Sequence, residues 1–236
     1  MPACTQGGGL RQSLGAALAS KGLFVFDSAN PSDTFALGEA LGGLSSASGH
    51  GEAAGGLPSA PQLGAHFGTV LLYGGVGAGK TVFAAGFAAG FGALAHATSP
   101  TYVIANTYPC KGGRVMHHFD AYRLDGPEGM DETGFWDYLG ERGCAVVVEW
   151  AQALKGALAG EPHIAVTIRK PGGADGADCA CETDCTDGAD GAGGADGAGG
   201  ADATGGADGM RAITVRVSGP APYAAPGAGD AGWHGG

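Results

Sequence analysis

Long apolar runs are missing from this 236-residue chain: nothing approaches the roughly 18 consecutive apolar residues of a membrane span, so none is expected. Basic residues are few and scattered. The 12 Lys and Arg form no cluster able to track a nucleic-acid backbone, so any RNA contact is expected to come mainly from a partner. The formal charge of −11 is concentrated rather than spread. Asp175, Asp178, Glu182, Asp184, Asp187, Asp190, Asp196, Asp202 and Asp208 all fall between 171 and 210, where Lys and Arg are absent. The remainder of the chain is close to neutral. A firm apolar h-region is lacking too: Gly7, Gly8, Gly9 and Gln12 interrupt the first twenty residues, so no secretory signal is expected. Cysteine is sparse. Cys4, Cys110 and Cys144 are scattered, and Cys144 opens an apolar run where a reduced thiol serves as a small hydrophobe. Cys179, Cys181 and Cys185 cluster without a nearby His and read as incidental thiols rather than a metal site. A cytoplasmic location is the expectation.

What the chain has in quantity is glycine, 49 residues of it, and one stretch gives it a purpose. Residues 69–82 read as an apolar strand running into Gly74-Gly-Val-Gly-Ala-Gly79-Lys80-Thr81, which fits G-x-x-x-x-G-K-[ST]. A helix-forming run from Lys80 to Phe91 follows, so strand, loop and helix are all present. Small residues let backbone amides turn inward around a polyphosphate, and a helix N-terminus adds its unpaired N–H groups to the same anion. Gly75, Val76, Gly77, Ala78, Gly79, Lys80, Thr81 and Val82 are therefore the candidate phosphate-contacting stretch. Lys80 would pair with the β and γ phosphates, and the Thr81 hydroxyl would bind Mg²⁺. A nucleoside triphosphate is the implied ligand.

Around this motif the chain alternates strands and helices. Asp33–Leu41 spaces Phe35, Leu37 and Leu41 as a short amphipathic helix opening on a capping residue, and 43–66 reads as a Gly/Ser/Ala/Pro loop. Phe83, Phe87 and Phe91 form a core stripe, with Gly86 and Gly90 beside it to allow close packing on a sheet. Tyr102–Tyr108 and Arg114–Asp120 read as strands joined by a turn at Cys110-Lys-Gly-Gly, with a helix near Asp131–Leu139. Cys144–Glu149 is continuously apolar before its terminal carboxylate, as suits a strand covered on both faces. His163–Lys170 and Met210–Val217 alternate as antiparallel strands. The Asp/Gly/Ala tract between them lacks the large apolar residues of a calcium-binding β-roll and reads as a disordered insert.

Phosphate cleavage also needs an acid to orient a metal and a group to position water. Val146-Val-Val-Glu149 resembles a Walker B strand with Glu in the acid position, and Asp120 ends the other apolar strand. On that strand His118 and Asp120 share a face, whereas His117 and Phe119 take the opposite one. Either acid alone could be ordinary surface charge; two at strand ends of a nucleotide-binding chain favour function. Thr98-Ser99-Pro100-Thr101 follows at a distance where a nucleotide-sensing segment could sit, with the Ser99 and Thr101 hydroxyls able to reach metal, water or phosphate. A guanine-reading Asn-Lys-x-Asp or Thr-Lys-x-Asp is absent, and the seven arginines are too thinly spread for a kinase lid.

Assembled, these motifs resemble the TsaE family, small P-loop ATPases of bacterial tRNA threonylcarbamoyladenosine biosynthesis. The resemblance rests on Leu72-Tyr-Gly74 with Gly77-Ala-Gly-Lys-Thr81, Thr98-Ser-Pro-Thr-Tyr102, His118-Phe-Asp-Ala-Tyr-Arg-Leu124, Asp137-Tyr-Leu139 and Val148-Glu-Trp-Ala151. It spans roughly residues 30–155, and Asp33–Gly38 looks like the family's N-terminal helix. It implies an α/β, three-layer fold whose partly parallel sheet is extended by antiparallel strands, and binding of ATP and Mg²⁺. It also implies partners that attach threonylcarbamoyl to the adenosine beside the anticodon, with slow hydrolysis resetting their complex. By position, Thr81 and Glu149 would hold Mg²⁺, Asp120 would orient or deprotonate water, Thr34 would sit near the base, and Trp150 would follow the metal acid in a segment able to respond to phosphate state. Gly75, Val82 and Ala85 depart from the residues common in the family. The expected organisation is a flexible segment at 1–30, one ATPase domain at 31–218 with the insert at 171–210, and a flexible tail at 219–236. A nucleotide-gated interaction module and a small-molecule kinase are the alternatives.

Overall fold

The continuous apolar strands Thr69–Tyr73 (β2) and Cys144–Glu149 (β5) lie in the middle of a seven-stranded sheet because both of their faces are covered. In the computed structural model, which describes residues 7–48, 68–98, 100, 104–124, 126–154, 156–158, 160–170 and 210–218, the other strands are Leu23–Ser28 (β1), Ala105–Pro109 (β3), Val115–Asp120 (β4), His163–Arg169 (β6) and Arg211–Ser218 (β7). Their order is β1-β7-β6-β2-β5-β4-β3. The central four, β6-β2-β5-β4, are parallel; β7 and β1 extend one edge and β3 the other, all antiparallel to their neighbours.

Alternation along each strand feeds two cores. Val70, Leu72, Met116, Val147, Ile164, Val166, Ile213 and Val215 face three helices, Gly7–Lys21 (α1), Pro31–Ser48 (α2) and Lys80–Phe91 (α3). Leu71, Tyr73, Phe119, Val146 and Val148 face the opposite layer, built from 3₁₀ turns that contribute Met130, Phe135, Ala151 and Leu154. Phe83 and Phe87 are fully buried, each worth roughly 1.5–3 kcal/mol of transfer free energy. No helix among the described residues is long and apolar enough to cross a membrane.

Several expectations need correction. Residues 1–30 include α1 and β1 rather than one flexible segment. Leu10, Leu14 and Leu18, four apart, bury one face of α1, and β1 pairs with β7 over its full length. The domain therefore starts before residue 31. The helix at α2 begins at Pro31 and runs to Ser48, into the stretch read as loop. Its cap is Asn30, whose Oδ1 accepts from the Asp33 N–H, while Asp33 Oδ2 accepts from the Ala29 N–H, so Asp33 closes the first turn rather than opening it. Gly86 and Gly90 pack against the α2 backbone, not the sheet: a Cβ there would lie 2.1 Å from Phe35 O and 2.0 Å from Glu39 O. The helix near 131–139 is two 3₁₀ segments, Pro127–Thr133 and Phe135–Tyr138, interrupted at Gly134 with φ 72°. The expected strand at 102–108 begins at Ala105; 101–103 lie outside the described residues, as do 171–209 and 219–236, on which the insert and the tail fall.

Candidate functional site

The turn after β2 is shaped by what surrounds it. A Cβ on Gly74, at φ 144°, would lie 2.4 Å from Ile168 O at the end of the neighbouring β6, so only glycine fits there. The loop closes through Ala78 N–H to Gly75 O at 3.2 Å, and α3 starts with Phe83 N–H to Gly79 O at 2.9 Å. Lys80 is buried. Its ammonium donates to Gly74 O at 2.6 Å and Gly75 O at 2.9 Å, and lies 3.4 Å from the centroid of the Trp150 ring. The indole also meets Tyr122, 4.8 Å between centroids. Trp150 has φ 58°, alone among described non-glycine residues in a positive-φ conformation, a cost of about 1–2 kcal/mol.

Parallel pairing sets the acids. In the β4–β5 register Asp120 lies opposite Glu149, so both carboxylates emerge at the carboxyl end of the sheet beside the loop. Glu149 is gripped at both oxygens. The Thr81 hydroxyl donates to Oε2 at 2.9 Å, and His118 Nε2 lies 2.9 Å from Oε1. His118 and Glu149 are both buried, and His118 Nδ1 has no hydrogen-bond partner. The tautomer carrying hydrogen on Nε2 therefore donates to Glu149 and leaves no N–H buried without an acceptor. His118→Ala is expected to lower stability in urea by about 2–4 kcal/mol by stranding a buried carboxylate, with His118→Gln recovering part of it through its amide. Asp120 is more exposed, its Oδ1 accepting from the Tyr122 N–H at 3.0 Å. His117 points to the other face, stacked on Tyr138 at 3.8 Å, and takes no part.

These groups line one cleft of about 330 Å³: Thr34, Val76, Gly77, Ala78, Gly79, Lys80, Thr81, Val82, Asp120, Glu149 and Trp150, all singled out from sequence, with Pro31 and Arg211. Gly75 belongs to the same turn through its carbonyl contacts. Ser99 and Thr101 lie outside the described residues. Thr34 is buried, its hydroxyl 2.7 Å from the Ser28 hydroxyl. Sequence reasoning missed Arg211, whose Nε donates to Ala78 O at 2.8 Å across 133 residues of chain, and for which no local signal exists. It missed the role of His118 as well, although the shared face with Asp120 was the available signal.

The site fits a divalent cation of the hard, oxygen-seeking kind. Thr81 Oγ1 and Glu149 Oε2 converge at 2.9 Å, and Mg²⁺ in nucleotide sites takes few protein oxygens, the rest being phosphate and water. No group of three or more His, Cys, Asp or Glu suited to a metal occurs among the described residues. Cys144 and Cys110 stand apart from this chemistry: both are free, and burial first, then the charge of Glu141 and the second thiol, push Cys144 up to about 12. Such a thiol is inert at neutral pH.

A parallel-centred sheet with a glycine-rich strand-to-helix turn, a buried lysine and a Thr–Glu pair defines a P-loop NTPase-like protein. Residues 28–175 match the family model described as threonylcarbamoyl adenosine biosynthesis protein TsaE, more than half of the chain, and the chain belongs to this family. Curated relatives carry the name tRNA threonylcarbamoyladenosine biosynthesis protein TsaE. That of Haemophilus influenzae is 36% identical over 99 residues, 42% of this chain and 61% of the relative. That of Streptomyces coelicolor is 42% identical over 85 residues, 35% of this chain and 56% of the relative. The Treponema pallidum protein is 35% identical over 107 residues, 45% of this chain and 75% of the relative. The chain thus spans about three fifths of the length of the first two relatives.

Proposed function

We propose that this chain is a Mg²⁺-dependent ATPase that supports threonylcarbamoyladenosine modification of the tRNA adenosine next to the anticodon. It acts in the cytoplasm with the threonylcarbamoyl-transfer proteins, and its slow hydrolysis of ATP resets their complex. Any contact with tRNA is mainly indirect. The observation that carries this reading is the Thr81–Glu149 contact of 2.9 Å, with Asp120 in register beside it.

In this reading the loop amides and Lys80 bind the β and γ phosphates, for which the ammonium exchanges its bonds to Gly74 O and Gly75 O. Thr81 and Glu149 would hold Mg²⁺, which when bound draws charge from the phosphate oxygens. His118 keeps the Glu149 carboxylate turned toward Thr81. Asp120 orients the attacking water or accepts its proton, and its partial exposure lets solvent reach it. Asp120→Ala is expected to retain Mg·ATP binding within about threefold and to lower single-turnover hydrolysis by about 10²-fold or more. Wild-type hydrolysis in that variant would remove Asp120 from the mechanism. A tRNA nucleoside assay in cells depleted of the protein tests the biological half of the proposal.

A second reading is favoured by the Trp150–Lys80 contact, which ties the segment after Glu149 to the loop lysine: a nucleotide-gated interaction module in which occupancy is the signal. Cycling of the partner complex on a non-hydrolysable ATP analogue would support that reading. Labelled γ-phosphate appearing on a metabolite would instead support a small-molecule kinase.

A further inference from the structure

We infer that the chain self-associates through the outer edge of β1, which pairs antiparallel with β1 of a second copy about a twofold axis at Val25. One sheet then runs across two subunits. Among the described residues β1 is an end strand, hydrogen-bonded on one side only, to β7. The ladder fixes which of its backbone groups are left over. Val217 N–H donates to Gly22 O at 2.8 Å, and the register of Leu23 with Arg216 sets Gly22 opposite Val217. In an antiparallel ladder such bonded pairs alternate with non-bonded ones, so Phe24, Phe26 and Ser28 also turn their N–H and C=O groups to β7. Leu23, Val25 and Asp27 turn theirs outward.

That outward row lacks the devices that usually keep an edge from pairing. Leu23–Ser28 holds no Lys and no Pro, and its register with β7 is unbroken by a bulge. The other end of the sheet is guarded. Leu94 N–H donates to Pro109 O at 2.9 Å, Ala93 bridges Cys110, and Pro109 has no N–H to offer. The occupant of the β1 edge is a second copy because the strand is complementary to itself. Pairing centred on Val25 sets this 61% exposed side chain against its own counterpart. Leu23 then lies opposite Asp27 of the other strand, so all the outward residues bond at once. Phe24 meets Phe26 of the second copy on the helix side of the sheet, at the non-bonded positions where side chains come closest. The Lys21 end of each strand arrives beside the Asp27 end of the other, opposite charges together. Each cleft adjoins the Ser28 end of its own β1, through Thr34 and Arg211. Antiparallel pairing therefore points the two clefts in opposite directions, and neither blocks the other.

Sedimentation of the full chain over a dilution series tests the mass, and residue-resolved hydrogen exchange tests the edge. A dimer is expected, in which the amides of Leu23, Val25 and Asp27 exchange about tenfold or more slower than after dilution to monomer. Phe24 and Phe26 should be protected at every concentration by β7. Val25→Pro removes an outward N–H and none from the β1–β7 ladder. It is expected to raise the dimer dissociation constant about tenfold or more, with Mg·ATP binding unchanged. Should the proline disturb the strand itself, seen as lost protection at Phe24 and Phe26, Val25→Lys keeps every backbone group and is expected to dissociate the dimer equally, by like charges on the twofold axis. Three results overturn the assignment: a monomer at every concentration, a dimer that both variants leave intact, or protection of Leu23, Val25 and Asp27 in a monomer, as when another segment of the same chain covers the edge.

Discussion

Lys80→Ala is expected to abolish measurable binding of Mg·ATP, a fall of about a hundredfold or more, since losing one partner of a buried charge-assisted contact costs about 2–5 kcal/mol. The side chain is buried, so its charge acts in a medium that screens it weakly. It is also preorganised. Two loop carbonyls and the Trp150 ring hold the ammonium over the turn, which spares the entropy of fixing a long side chain when a phosphate arrives. Lys80→Arg should not rescue, because the fork of a guanidinium cannot take the place of a compact ammonium among these carbonyls. Calorimetry with Mg·ATP and with Mg·ADP measures the effect; a variant that binds ATP within threefold of the wild type would show that the loop does not use its lysine. Thermal unfolding of the same samples separates lost binding from lost fold.

The largest effect on stability is expected at the α2–α3 contact. A Cβ at Gly86 would meet Phe35 O at 2.1 Å and Phe35 C at 2.9 Å, and one at Gly90 would meet Glu39 O at 2.0 Å. The contact is reciprocal: Gly38 and Gly42 face Phe83 O and Phe87 O at 2.3 and 2.1 Å. All four obstacles are backbone atoms, with no flexible side chain to swing aside. Gly86→Ala must therefore push the helices apart, loosening Leu37, Leu41, Phe83 and Phe87 together. A loss of about 3–5 kcal/mol is expected, a large share of the usual stability of a domain. Gly9→Ala is the control. Its Cβ would meet nothing within 4 Å on α1, so helix propensity alone should stabilise it by up to about 1 kcal/mol. Urea denaturation of both variants checks the contrast; similar midpoints would mean that the helices do not approach so closely.

Local chemistry made much of this molecule readable. The loop after β2, the start and end of α3, and the acids closing β4 and β5 were legible because each depends on residues adjacent in the chain: glycine before lysine, apolar run before carboxylate. Two-sided burial of β2 and β5 followed from their unbroken apolar character. What escaped was whatever depends on a remote neighbour. The glycines of α2 resemble those of a linker until α3 is laid against them, which is why its last turns were read as loop. The leucines of α1 were obscured by the glycines at its start, and β1 makes sense only beside β7. Arg211 belongs to the cleft solely because β7 runs back alongside β6. The hold of His118 on Glu149 needs two strands in register.

The position of β7 between β6 and β1 also orders the events of biosynthesis. A ribosome must release residues 211–218 before β1, made almost two hundred residues earlier, meets β7, the strand it pairs with. Until then β6 displays an open edge, and a nascent chain can assemble the Thr81, Asp120 and Glu149 side of the cleft while its Arg211 side is still missing. The cleft is thus completed late, as the sheet is sealed by a strand inserted between two already synthesised.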